Sequence, residues 1–327
     1  MLSDAKIRRR AEKNGARYTD AKSALKGGAK KTLLNVFRFV LLAGISYVIL
    51  APVIGIVSRS FFSNQDAYNP MVFTIPMAPT LERYQRAIAR MNYFKTVLNT
   101  ILYTLSLSVL QVLVCAGVGY GFARFEFPLK KLLFACVVVM IVIPSHAIML
   151  PLYVTFRNFD PLGIFSALGL SANLMGTPLP LYIMTALGCG LRSGLYIYIF
   201  NQFFRGLPRE IEEAAFVDGA GTWYTFSRIM LVNAAPAVVT VSVFSMVWQY
   251  NDTFYGNLFR ISGDVLISKK LSSLQVNIAT QDKILDIAIQ ELYVAAGVVL
   301  VMLPVVILYL FMQKRFIEGV ERSGIVG

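Results

Sequence analysis

The sequence predicts an all-α, polytopic membrane protein with six transmembrane helices and one structured, charged loop between the fourth and fifth. Three observations carry that reading. Only 15% of the 327 residues are charged and 56% are hydrophobic, where a soluble domain carries about 25% charged residues. Six runs approach the ~20 apolar residues that cross a bilayer as a helix. Lysine and arginine, finally, favour alternate connecting segments, as expected of a chain threaded back and forth through a membrane.

The chain opens with a basic segment, 1–31, that holds ten of the 31 Lys and Arg residues, all of them in "AKIRRRAEKNGARYTDAKSALKGGAKK". The net charge of +13 admits a nucleic-acid partner, but its concentration in one tail is the pattern of a cytoplasmic segment facing an anionic leaflet. No nucleic-acid binding is expected. No short apolar segment with a small-residue cleavage site precedes the first run, so that run is expected to direct insertion itself.

The candidate spans follow at 34–57, 97–121, 131–154, 180–204, 234–258 and 292–313. The first, with the loop after it, makes a unit at 32–95; the remaining spans make a core at 96–312, and 313–327 is a C-terminal tail. Residues 161–204 are almost uncharged and long enough for two spans. The run "SANLMGTPLP" interrupts them with Gly176, Pro178 and Pro180 as turn residues, so 161–179 is expected to lie at the interface or to dip partly in.

Six spans with both termini cytoplasmic place nineteen Lys and Arg residues on the inner segments and ten on the longer outer ones. This is the positive-inside bias. A seventh span would reverse it for "KRFIEG". Segment 205–233 is therefore expected on the inner face.

That segment has its own local logic. Pro208 suits the first turn of a helix, where a missing N–H costs nothing. Glu210, Glu212 and Glu213 suit the positive end of the helix dipole, and Ala214 and Ala215 favour helix while leaving a low-relief surface. Asp218-Gly219 signals a turn, and Thr222 is a candidate N-cap for a second helix, "WYTFSRIMLV". The expected product is a helix, a sharp elbow and a second helix.

With those residues in place, "EEAAFVDGAGTWYTFSRIML" resembles the coupling loop of ATP-binding-cassette importer permeases. The matching positions are Glu213, Ala214, Ala215, Asp218, Gly219, Ala220, Phe226 and Ile229. One departure is Val232, where the family usually has proline, and it implies a less kinked entry into the fifth span. "PTLERY" (79–84), "LNTILYT" (98–104), "FARFEFP" (122–128), "IPSHAIMLPLY" (143–153), "FFRGLP" (203–208) and "WQYNDTF" (248–254) resemble the binding-protein-dependent type I carbohydrate importers of the maltose-type subfamily. The C-terminal "RFIEGVERSGIVG" resembles that subfamily's tail, with Val326 in place of a usual lysine. The resemblance covers residues 70–327.

It implies a type I transmembrane core in which the 205–230 loop docks on a separate ATPase. ATP-driven closure of two ATP-binding subunits would pass through the docked helices into the spans. It also implies a second permease subunit forming a heterodimer, and an extracytoplasmic solute-binding protein docking on loops 59–96, 155–179 and 259–291.

Other residues carry weaker signals. Arg192 falls near the middle of the fourth span, where a charge costs roughly 2.5–3.5 kcal/mol. It either faces a water-filled cavity or partner and meets sugar hydroxyls, or snorkels outward from a misplaced span. Trp248, Asn251 and Asp252 in the fifth span suit a sugar path or gate, and equally helix–helix hydrogen bonds or an interfacial aromatic belt.

His146 lacks the companions of a metal or catalytic site, and the prolines around it, Pro144 and Pro151, should bend the third span. Cys115, Cys136 and Cys189 read as small buried hydrophobes. "GVGYG" (117–121) lacks the strand and lysine of a phosphate loop and suits close helix packing. No cofactor, metal site or catalytic set is expected, nor ATP binding by this chain. An ion-coupled carrier would hold more acids in its spans and show internal repeats; an intramembrane enzyme would need a catalytic constellation. An importer of the same class for another polar solute stays open.

Overall fold

The computed structural model describes residues 33–167 and 172–324; the basic tail 1–31 and the last three residues lie outside the described residues. Regular structure there is helical, apart from a single antiparallel bridge between Phe159 and Ala172.

Among the described residues, three helices are long and apolar enough to cross a bilayer unbroken. They are α1 (Leu33–Arg59), α4 (Tyr93–Arg124) and the Ile287–Phe311 part of the last helix. Short helices α2 (Asn64–Tyr68) and α3 (Glu82–Met91) link the first two. The third candidate span is a bent pair, α5 (Lys130–Val142) and, after a turn at Ser145–Ile148, α6 (Met149–Arg157), meeting at 106°. Pro144 sits at the bend in extended backbone, since proline cannot supply the N–H that would continue the helix. The expected bend is therefore there.

The stretch after it holds only short turns and α7 (Ile164–Ala167) among the described residues. Gly176 takes a left-handed φ of +85° and its N–H donates to Phe259 O at 2.7 Å.

The fourth candidate span is not one helix. α8 (Leu179–Ala186) and α9 (Ser193–Gly206) are separated by a loop at 187–192 in which Gly188 and Arg192 both have positive φ. Gly190 is pressed so close to Thr185 that a β-carbon would lie 2.5 Å from its hydroxyl. Among the described residues, three unbroken helices and two bent pairs account for up to five crossings by length and composition.

The loop helices are α10 (Glu210–Val217) and α11 (Thr222–Asn233), the latter containing a π-helical stretch at Thr225–Met230. α11 meets α12 (Ala235–Asn251) at 79°. The entry to this span is thus strongly kinked despite Val232, because Pro236 stands in the first turn of α12 and breaks the preceding hydrogen-bond ladder. α12 stops at Asn251, well before 258. α13 (Phe254–Leu258), α14 (Ile267–Gln281) and α15 (Ile287–Gly324) complete the chain.

The core has three parts. Near the loop, Tyr120, Phe200, Phe204, Phe226 and Met230 are buried between α4, α9 and α11. At the opposite end, Met91, Leu274, Ile278 and Tyr293 join α3, α14 and α15. Between them, Leu107, Leu181, Tyr255 and Phe259 pack around the helix break. α4 and α9 approach closely because Gly119 has no side chain, and a β-carbon there would lie 2.6 Å from Phe200 Cβ. Gly117 and Gly121 have open space beside them, so only the middle glycine of "GVGYG" serves close packing. Cys115 is buried, but Cys136 and Cys189 are exposed on the chain, contrary to expectation. α1 leaves its apolar surface uncovered.

Candidate functional site

The loop is built as a braced elbow. Asp218 is the C-cap of α10; Gly219 N–H then donates to Phe216 O at 3.0 Å and Ala220 N–H to Ala215 O at 2.9 Å. These are the two bonds of a Schellman cap, which needs a left-handed residue just past the cap. Gly219 supplies it with φ +82°, in open space, so conformation alone selects glycine there.

Two expected details differ. Pro208 lies before α10 rather than in its first turn, and the N-cap of α11 is Gly221, with Thr222 the first helical residue and no side-chain capping bond. With Gly221 extended (ψ 161°), the chain turns without a hydroxyl cap.

The predicted loop residues divide into two faces. Glu213, Ala214, Asp218 and Gly219 are exposed, and Ala220 is half-buried. Ala215 and Phe226 turn inward, at 5% and 7% exposure. Phe226 stacks beside Tyr120, with ring centroids 5.0 Å apart, and near Phe204 at 6.4 Å, so it fastens the loop to α4 and α9. A hollow lined by Asp218, Gly219, Ala220, Tyr224 and Ile229 opens at the elbow, and Val217 and Trp223 stand exposed beside it.

Sequence reasoning missed the brace behind this face. Arg124 at the end of α4 pairs with Glu212 of α10 at 2.9 Å, both side chains under 10% exposed. Arg124 also donates to Leu207 O at 2.8 Å. A buried pair of this kind loses about 3–5 kcal/mol when one partner is removed. The only signal available was the acid-rich first turn of α10, which the helix dipole explained without a partner.

The second group lies at the helix break. Arg192 caps α9 in a left-handed conformation (φ 61°) and its guanidinium sits 4.3 Å from the Trp248 ring centroid. Both side chains are exposed on the isolated chain. Beneath them, Gln111 of α4 donates to Ser193 Oγ at 3.1 Å and accepts from Ser245 Oγ at 2.7 Å and Gln249 Nε2 at 3.2 Å. Buried polar groups in a membrane protein must find one another, and this set ties α4, α9 and α12 together at the break.

Asn251 and Asp252 lie near but point into local structure. Asn251 Nδ2 donates to Val247 O in its own helix, and Asp252 accepts from the amides of Tyr255 and Gly256, capping α13. His146, at the α5–α6 bend, lies 4.6 Å from the Phe254 ring.

Comparisons with known proteins agree on the kind of molecule. The chain is 29% identical over 259 residues to the trehalose transport system permease protein SugB of Mycobacterium tuberculosis, covering 77% of this chain and 84% of the relative. It is 26% identical to the maltodextrin transport system permease protein MdxG of Bacillus subtilis, covering 91% and 98%. Its fold matches a chain of a crystal structure of a bacterial ABC transporter involved in the import of the acidic polysaccharide alginate. That match has TM-score 0.70 and 21% identity, covering 87% of this chain and 96% of that one. The family model for the binding-protein-dependent transport system inner membrane component matches residues 113–322, more than half the chain, and the protein therefore belongs to that family of multi-pass membrane transport subunits.

Proposed function

We propose that the chain is the permease subunit of an ATP-driven importer that moves a sugar or oligosaccharide inward across a bacterial-type plasma membrane. ATP hydrolysis belongs to two separate ATP-binding subunits. One observation carries the coupling role: a Schellman-capped elbow exposes Glu213, Ala214, Asp218 and Gly219 while Phe226 and the buried Arg124–Glu212 pair clamp its back to the spans. A load applied to that elbow reaches α4 and α9 without an intervening flexible segment. Carbohydrate cargo is supported by relatives named for trehalose and maltodextrin transport.

In this reading residues 1–31 and 313–327 are cytoplasmic, 32–95 form the first span and its outer loop, and 96–312 form the core. A second permease completes the pore, and an extracytoplasmic solute-binding protein delivers cargo to the outer loops. Arg192 and Trp248 line the cargo path, because an exposed guanidinium at this depth needs water, polar cargo or a partner. Asn251 and Asp252 shape the edge of that path, Asp252 by holding α13 in place. Gentle affinity purification of the chain from its native membrane is expected to bring down an ATPase and a second permease in fixed proportion. Recovery of the chain alone, or as a homo-oligomer, refutes the coupling reading.

A further inference from the structure

A groove of about 730 Å³ lies beside the start of the loop, where the end of α4, the start of α5 and the end of α9 meet. Its walls are aromatic, with Phe122 5.5 Å from Phe134. Its rim is basic, formed by Lys130, Lys131 and Arg205. One acid, Glu126, pairs with Lys130 at 2.8 Å and is itself 84% exposed. Two features leave the groove incomplete. α5 begins with two lysines, no acid in its first turn and no side-chain cap, the reverse of what its dipole and free amides favour. Asn201, 2% exposed, lines the groove, and its Oδ1 is buried without a hydrogen-bond partner among the described residues. Asn201 and Arg205 are one helical turn apart on the same face of α9.

We infer that this groove binds an anionic glycerophospholipid whose headgroup carries hydroxyls, of the phosphatidylglycerol class. The phosphate meets Lys131, Arg205 and the free amides of α5, a headgroup hydroxyl donates to Asn201 Oδ1, and the acyl chains run along Phe122 and Phe134. Basic pockets between transmembrane helices on the inner face suit such headgroups. The inference uses the sidedness proposed above, which puts this end of α4 at the inner leaflet.

The test is lipid retention by the full chain, purified with its native partners in mild detergent and read by native mass spectrometry after exposure to mixed micelles. Micelles containing phosphatidylglycerol, phosphatidylserine or phosphatidylcholine are compared. Phosphatidylglycerol is expected to be retained above both others, and K131Q and R205Q each to lower retention roughly fivefold, from the usual contribution of one basic residue near an anionic surface. Equal retention of phosphatidylglycerol and phosphatidylcholine, or no loss in the double variant, overturns the site. Retention of phosphatidylserine equal to phosphatidylglycerol overturns the hydroxyl specificity, and unchanged phosphatidylglycerol retention by Asn201→Leu overturns the Asn201 contact. Detergent has no sides, so this readout is independent of topology. Labelling of Lys131→Cys by a membrane-impermeant reagent in intact cells tests sidedness on its own, and labelling from outside would overturn only the inner-leaflet assignment.

Discussion

At the scale of single residues, Gly219 and Arg192 show what a sequence can and cannot carry. Gly219 was legible because a Schellman cap forces a left-handed residue at a fixed offset from the helix end, and Asp-Gly after an alanine pair announces it. A valine there must hold φ +82° against a penalty of about 1–2 kcal/mol for a left-handed L-residue. Gly219→Val is expected to cut uptake at least tenfold while leaving membrane insertion and expression normal, because nothing packs on the glycine. Normal uptake would remove the elbow from the coupling path. Arg192 stands at a helix break that a hydropathy window does not reveal, because the window averages across six loop residues and misses the left-handed turn there. Its stacking on Trp248, in the next span, leaves no trace in local pattern. Arg192→Ala is expected to alter uptake, or its preference among sugars, with ATPase attachment unchanged; an unaltered uptake profile would exclude it from the cargo path.

At the scale of elements, the loop's two helices were readable and their anchorage was not. Acids in the first turn, helix-forming alanines and a glycine elbow are local signals. The partner of Glu212 is Arg124, 88 positions earlier, and a pairing of that kind emerges only when α4 and α9 close around Gly119. The bend at Ala234 is set not at position 232, which carries valine, but by Pro236, the second residue of α12. Arg124→Ala is expected to strand a buried carboxylate, loosening α10 from the bundle by about 3–5 kcal/mol. Limited proteolysis should then cut within 207–221, and uptake should fall. The double variant Arg124→Met with Glu212→Leu should resist proteolysis better than Arg124→Ala, because it removes both charges together. Equal sensitivity of the two variants would show that the pair does not hold the loop.

At the scale of the whole molecule, the end opposite the loop is closed by two arginine contacts between distant parts of the chain, neither legible in sequence, and by a local knot at Asp66. Arg83, 2% exposed, bonds Tyr293 Oη at 2.6 Å and lies over its ring. Arg90 grips both oxygens of Asp282, at 3.0 Å from Nε and at 2.5 Å from Nη2. Asp66 gathers the amides of Ser63 and Met77. The Arg83 and Arg90 contacts span segments with no shared periodicity, while those of Asp66 stay within the first outer loop, so hydropathy marked 59–96 and 259–291 only as loops. These contacts fix a pH response. The Arg90 guanidinium holds the Asp282 carboxyl below its usual range against the opposing effect of burial, and the Ser63 amide does the same for Asp66. A carboxyl whose folded pKa is depressed stabilises the fold above its unfolded value, about 3.9, and that stability fades as pH falls through the folded pKa. The cap formed by α2, α3 and α14 should therefore keep its protection from pH 7 down to about 4 and open only below that range. Hydrogen exchange over 64–91 and 267–286, corrected for the intrinsic pH dependence of exchange, measures this. Asp282→Asn should raise exchange near 282 roughly threefold at neutral pH, the scale of a partly exposed ion pair, and should flatten the acid step. A cap that opens between pH 5 and 6, or an Asp282→Asn variant with an unchanged acid step, would show that these carboxylates do not hold it closed.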